Sequence, residues 1–191
     1  MGSLACVPAA GAAERFGGRK MLAALEGQPL LERTIRSLLA GGVDEVVVVL
    51  GPEADLVRAA VPALNGDPRV RGVVNPDPSR GMFSSLQVGL RGASADPVVV
   101  LPGDMPFVQP ATVTLLLDAY RRTPAIVSPR RLGKRGHPVV LPPAVVAEIL
   151  LAEPSANLHQ VLHAHPDQRV DLEVEDRGVV RDVDTVGDLT A

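Results

Sequence analysis

Leu4-Ala5-Cys6-Val7-Pro8-Ala9-Ala10-Gly11-Ala12-Ala13-Glu14-Arg15-Phe16-Gly17-Gly18-Arg19-Lys20 runs from a short apolar strand into a turn of glycine and alanine that ends among three cations. Leu4 to Val7 is wholly apolar, the pattern of a strand buried within a sheet. The small residues after it leave backbone N–H groups open to an anion. Arg15 and Lys20 supply the charge that a triphosphate requires. Two familiar phosphate motifs do not fit. A Walker A loop needs G-x-x-x-x-G-K-[ST], whereas Arg19 separates Gly17-Gly18 from Lys20 and Met21 follows. The dinucleotide fingerprint G-x-G-x-x-G fails because Ala12-Ala13-Glu14 follows Gly11. An ordinary βα turn carrying solvated cations is the competing reading.

The rest of the chain agrees with a strand of that kind. Its 191 residues are 46% apolar and 21% charged, enough for one well-buried core, and we expect a single domain over 1–191. Aromatic residues are few, with no Trp, one Tyr and three Phe, so the core is built from Val, Leu, Ile and Ala, which suits a parallel sheet covered by helices. A net charge of −3 with scattered Lys and Arg offers no broad basic face and argues against nucleic acid as a partner. Neither a signal peptide nor an apolar run near the ~20 residues needed to span a bilayer is present, so we expect a cytoplasmic protein with no membrane partner. Cys6, the single cysteine, reads as core packing.

β-Branched runs recur at 46–49, 70–74, 98–101 and 125–127, with helical patterns between them, the βαβα alternation of an α/β domain. Helices are expected from about Pro29 to Gly41-Gly42, over 53–61, 84–91 and 110–120. After Ser128 the pattern changes to a basic loop over 130–136, a strand at 139–141, short helices over 143–151 and 157–163, strands over 169–174 and 178–183, and a terminal helical turn. We therefore divide the domain into a nucleotide-binding half, 1–128, and a substrate-side half, 129–191.

Leu101-Pro102-Gly103-Asp104-Met105-Pro106 puts a carboxylate directly after an apolar strand. Ligands of open α/β sheets bind at the carboxyl ends of strands, and a carboxylate beside a triphosphate cradle suits Mg²⁺, which needs one or two protein oxygens plus phosphate and water. A turn aspartate capping its own backbone is the alternative. Asp182 and Asp184 stand two apart, so on a strand both would face one way, and a metal would lie between one of them and Asp104. Asp184-Thr185 also reads as a helix cap. Asn75 to Leu86 forms a strand end and polar loop feeding a helix, where Asn75, Gly81, Ser84 and Ser85 could meet a base edge or phosphate, or Ser84 and Ser85 could simply cap the helix. Arg135-Gly136-His137-Pro138 sets a cation and an imidazole before a strand, placed to contact a substrate phosphate. His159, His163 and His165 complete no metal motif and read as surface residues.

In order, these segments resemble the nucleotidyltransferases of molybdenum cofactor maturation, the MobA-like family, and especially its cytidylyltransferase branch, MocA. The family's opening pattern is met by Ala9-Ala10-Gly11, Arg15, Phe16-Gly17 and Lys20, its later segments by Gly81-Met82-Phe83-Ser84-Ser85-Leu86, Gly103-Asp104-Met105-Pro106 and Gly136-His137-Pro138, and its close by Asp182-Val183-Asp184-Thr185 through Asp188-Leu189. The resemblance implies a three-layer α/β/α Rossmann-like nucleotidyltransferase fold with a mostly parallel sheet. It implies Mg²⁺-dependent transfer of CMP from CTP to the terminal phosphate of molybdopterin, with release of pyrophosphate and a molybdoenzyme as a further partner. Arg15, Lys20 and Asp104 would be catalytic, and Asp104 with Asp182 would hold the metal. Ala9, Ala10, Gly11, Ala12, Arg15, Lys20, Asn75, Gly81, Ser84, Ser85 and Gly103 would bind nucleotide, and Arg135, Gly136 and His137 the acceptor. Pro8 and Ala13 depart from the family's usual Leu and Ser, and Phe83 adds bulk near the expected base loop. Pro8-Ala9-Ala10-Gly11 is also similar to cytidylyltransferases acting on sugar or polyol phosphates. GTP as donor, a sugar or polyol phosphate as acceptor, and a cofactor-binding chaperone without turnover are the alternatives; retention of Lys20, Asp104 and Asp182 argues against the chaperone, and the absent fingerprint puts a dinucleotide-dependent oxidoreductase behind them all.

Overall fold

The computed structural model describes residues 2–11, 16–94, 97–153 and 155–189. The strands are β1 (Leu4–Ala9), β2 (Ala24–Leu25), β3 (Gln28–Pro29), β4 (Glu45–Leu50), β5 (Val70–Val74), β6 (Val98–Val100), β7 (Ile126–Arg131), β8 (Lys134–Arg135), β9 (Val139–Leu141) and β10 (Arg169–Glu173). The α-helices are α1 (Leu30–Ala40), α2 (Ala54–Ala60), α3 (Pro62–Gly66), α4 (Met82–Leu90), α5 (Pro110–Arg122), α6 (Pro143–Leu151) and α7 (Leu158–His163).

Their main sheet runs β10-β7-β9-β6-β1-β4-β5, with β8 added as a hairpin on β7. It is mostly parallel: β1 pairs in parallel with β4 and β6, β4 with β5, and β7 with β10, while β9 runs antiparallel between β6 and β7. Alternation along each strand sends side chains to two apolar layers. Ala5, Val7, Val46, Val48, Val99 and Leu101 pack with α1, α2, α3 and α5 on one face. Cys6, Val49, Val98 and Val100 pack with α4, α6 and α7 on the other. Helix α4 lies close to the sheet: a Cβ on Gly89 would sit 2.5 Å from Cys6 Sγ and 2.6 Å from Val49 Cγ2. No helix among the described residues is long and apolar enough to cross a membrane.

From β1 the chain builds outward through β4 to β5, then crosses back to place β6 on the other side of β1. The order reverses between β1 and β6, and the carboxyl ends of strands at such a reversal open a crevice.

Several sequence expectations change. The helix expected from Pro29 begins at Leu30, because Pro29 closes the β2–β3 hairpin. The helix expected over 53–61 stops at Ala60, and Pro62, which has no N–H to continue it, opens α3. Helix α4 starts at Met82, after Gly81 turns the chain at φ 85°, so Ser84 and Ser85 lie within the helix rather than at its cap. The basic loop expected over 130–136 includes a hairpin: Leu132 and Gly133 both adopt positive φ, 48° and 80°, and Arg131 pairs with Lys134. The strand expected over 178–183 is instead a 3₁₀ turn, Arg177–Val180, because Asp176 accepts a 2.8 Å bond from the Gly178 N–H and Gly178 is pressed against the Phe107 carbonyl.

Candidate active site

Both motifs singled out in the sequence meet at the β1/β6 reversal. Beyond β6 the chain clings to β1, with Leu101 N–H donating to Cys6 O (3.2 Å) and Gly103 N–H to Pro8 O (2.9 Å). Gly103 packs behind the cradle, where a Cβ would lie 3.1 Å from that of Ala9. Asp104 follows at the crevice mouth. Lys20 opens a 3₁₀ turn after Arg19, which takes φ 50°. Its Nζ donates to Asp104 Oδ2 at 2.7 Å and to Asp184 Oδ1 at 3.4 Å. The Lys20 side chain is 11% exposed and that of Asp104 21%, so desolvation of the ammonium is offset by the two carboxylates. The segment carrying Asp184 is tied in by its backbone, Val183 N–H donating to Asp104 O at 2.9 Å.

The sequence put Asp182 ahead of Asp184 because Asp184-Thr185 also reads as a helix cap. The irregular chain after Val180 instead aims Asp184 at Lys20, while Asp182 is exposed and acts on His137 through its charge. His137 N–H donates to Val179 O at 2.8 Å, and Nδ1 lies 3.3 Å from Val100 O. Burial holds the His137 imidazole below its usual pKa of 6.5, opposed by the Val100 carbonyl and by the charges of Asp104 and Asp182. Gly136 is fixed by close approach: any Cβ there would run into the Val179 carbonyl oxygen.

Three cavities lie along the crevice. One of about 460 Å³ is bounded by Ala9, Ala10, Gly11, Lys20, Gly51 and Glu53. A recess of about 240 Å³ shares Ala9, Ala10, Gly11 and Lys20 and reaches Gly81, Ser85 and Asp104. A basin of about 560 Å³ meets that recess at Met82 and is lined by Arg135, Gly136 and His137. Asn75 and Ser84 line none of the three. Buried Asn75 donates through Nδ2 to Ser84 Oγ (2.9 Å) and Ser85 Oγ (3.0 Å), and its Oδ1 accepts from Asp77 N–H (3.0 Å), which holds the 75–85 loop in shape. Ala12 and Arg15 lie outside the described residues.

The basin also gathers residues that sequence reasoning passed over. Ser128, Arg130 and Arg169 line it, as do His159 and His163, read above as plain surface groups. The two imidazoles sit one helical turn apart with ring centroids 4.0 Å apart, and His159, burial, Arg169 and Arg135 keep His163 below the usual histidine pKa. His165 faces away to Glu148, 2.7 Å from its carboxylate. The basic run over 130–135 and the Gly136-His137 pair were the signals of the basin in the sequence.

No group of three or more His, Cys, Asp or Glu side chains that could hold a metal occurs among the described residues. That excludes a closed protein cage of the zinc type there. Two carboxylates beside a cradle fit an ion that brings phosphate oxygens and water as its remaining ligands.

Relatives follow the same outline. The chain is 37% identical to nicotine blue oxidoreductase of Paenarthrobacter nicotinovorans, over 93% of this chain and 90% of that protein. It is 22% identical to the molybdenum cofactor cytidylyltransferase of Escherichia coli, over 99% of this chain and 95% of that one. Rv0371c of Mycobacterium tuberculosis, solved in complex with manganese, superposes with a TM-score of 0.81 at 28% identity, covering 98% of this chain and 96% of that one. Residues 5–170 match the model of the MobA-like NTP transferase domain, and the chain belongs to that family of nucleotidyltransferases.

Proposed function

We propose that the chain transfers a nucleoside monophosphate, CMP from CTP, to the terminal phosphate of molybdopterin or its molybdenum cofactor, with a molybdoenzyme as the eventual recipient. The observation that carries the transfer is Lys20 held between Asp104 and Asp184 at the carboxyl ends of β1 and β6, on the wall of two adjoining cavities. CTP and the cofactor rest on the likeness to the cytidylyltransferase branch.

In this reading the triphosphate lies over Ala9, Ala10 and Gly11, whose small side chains let backbone N–H groups approach it. Lys20 exchanges a carboxylate for phosphate oxygens and neutralises charge that builds on them in the transition state. A divalent ion bound by Asp104 with Asp184 or Asp182 would add further neutralisation of the phosphates. An oxygen of the acceptor phosphate attacks the α-phosphorus, the bond from that phosphorus to the bridging oxygen breaks, and pyrophosphate leaves with the electron pair. No protein nucleophile is required, so the rate comes from placement and charge. His137, kept neutral by burial, and Arg135 flank the acceptor's approach.

Pyrophosphate release by the purified chain with Mg²⁺ and molybdenum cofactor, compared across CTP, GTP, ATP and UTP, tests this. Release with CTP alone is expected. Release with GTP alone would make it a guanylyltransferase, and release only with a sugar or polyol phosphate would move the acceptor.

A second reading is favoured by the 37% identity to an oxidoreductase named for a blue dye. The apolar floor of the basin would then hold a flat ring for reduction. Oxidation of NADH or NADPH dependent on an aromatic electron acceptor, with no pyrophosphate release, would select it.

A further inference from the structure

Arg130, Arg135 and Arg169 and the imidazoles of His137, His159 and His163 line the 560 Å³ basin, and no carboxylate among the described residues does. Met82, Val139, Leu158 and Leu162 give it an apolar floor. Two carboxylates balance part of the charge from outside: Arg135 Nε lies 2.8 Å from Asp171 Oδ2, and Arg130 Nε lies 3.5 Å from Glu173 Oε1 without an aligned hydrogen bond. Arg169 has no ion pair among the described residues; one terminal nitrogen donates to Leu162 O at 3.4 Å, and its buried Nε has no hydrogen-bond partner. Ser128 is 1% exposed, and its Oγ also has none. Buried polar atoms are nearly always satisfied, so an unpartnered hydroxyl and an unpartnered guanidinium Nε bordering one cavity mark where a ligand completes them.

That place is distant from the reaction centre. Strands lie roughly 4.8 Å apart. Arg169 is on β10, three strands from β6 and four from β1, or roughly 14 and 19 Å across the sheet. A phosphate engaged at Lys20 and Asp104 does not also fill the Arg169 end. We infer that the basin binds a second anionic group of the acceptor, separate from the phosphate that reacts, through Arg169, Arg130 and the Ser128 hydroxyl, with the acceptor's body on the apolar floor. The word acceptor rests on the proposed transfer; the anion site rests on the geometry of β7, β10 and α7.

Inorganic phosphate titrated into the purified chain, followed through the imidazole resonances, tests the site. The charges acting on His163 are those of His159 on its own helix, Arg169 on β10 and Arg135 on β8; Arg130 lines the same basin, and Asp171 and Glu173 pair with Arg135 and Arg130. Saturable shifts of His159 and His163 are expected, with the pKa of His163 rising as phosphate offsets the surrounding cations. Arg169→Gln weakens this binding about tenfold, the loss of a charge-assisted bond. Ser128→Ala weakens it several-fold yet leaves the thermal midpoint of the free chain unchanged or higher, because it removes an unpartnered hydroxyl; a merely structural serine would lower that midpoint. Shifts confined to His165, or affinity unchanged in Arg169→Gln, overturn the inference. Thermal protection by CTP with Mg²⁺ separates it from the transfer reading. Protection with His159 and His163 unmoved by phosphate sinks the inference alone. Phosphate binding there with protection by none of CTP, GTP, ATP and UTP sinks the transfer, and with it the acceptor.

Discussion

Among the described residues, the two ends of the crevice carry opposite charge. At Lys20 a single ammonium faces two carboxylates, Asp104 and Asp184. In the basin, guanidinium groups outnumber the carboxylates that reach them, Asp171 and Glu173. An acidic centre around one cation suits an anion that arrives with its own divalent ion, whereas a basic cavity with an apolar floor suits a bare anion on an organic body. On the proposed reading one sheet carries two kinds of anion site, and the difference lies in what accompanies the negative charge.

The largest expected effect breaks that comparison at its acidic end. Asp104→Asn should lower the rate of pyrophosphate release by about 10²–10³, the usual loss when a pre-organised charge is removed, with a thermal midpoint near that of the parent chain; turnover within a few-fold of the parent would remove Asp104 from the reaction. Next, chelation should separate the two ends. CTP at a hundredfold excess over its Kd stabilises by about 2.7 kcal/mol, and EDTA should abolish this shift while leaving phosphate binding at His163 intact. Loss of both on chelation would mean the ends are not independent. Arg135→Gln should raise KM for the acceptor about tenfold, a charge-assisted contact, while KM for CTP stays constant; an equal change in both would place Arg135 on the nucleotide.

The smallest effect concerns the floor. Cys6 on β1 is fully buried, and burial pushes its thiol up to about 12 from 9.0. The native chain therefore keeps the thiol protonated where the unfolded chain ionises, so its contribution to stability is present below pH 9 and is lost as pH rises from about 9 toward 12. No labelling by a thiol reagent at pH 8 is expected in the folded chain. Ready labelling would show that β1 opens and that the acidic end is not the rigid one.

How much of this was legible in the sequence depended on which forces were local. Apolar runs such as Val46 to Val49 declare buried strands by composition, and a carboxylate directly after such a run, Asp104, declares its position at the crevice. The hairpin at Leu132-Gly133 was hidden because leucine seldom takes positive φ. Val179-Val180 reads as strand, yet the Asp176 cap and the contact of Gly178 with Phe107 override that propensity. The reach of Asp184 to Lys20 accompanies a backbone bond from Val183 to Asp104, far away in sequence, which no spacing reveals. His159 and His163 were legible as a pair, but not the arrival of Arg169 beside them.

The clasp on Lys20 joins parts of the chain 84 and 164 residues apart. Contacts of such separation carry a large loop-closure cost and form late relative to local structure. The centre is thus a reporter of completed folding: a molecule with its sheet assembled but the 181–189 segment unlatched would lose Asp184 from Lys20 together with buried Val183, while the sheet and its other helices stay packed. Activity would then be governed by the free energy of that local opening, a quantity that hydrogen exchange at the Val183 amide measures directly and that global unfolding would not reveal.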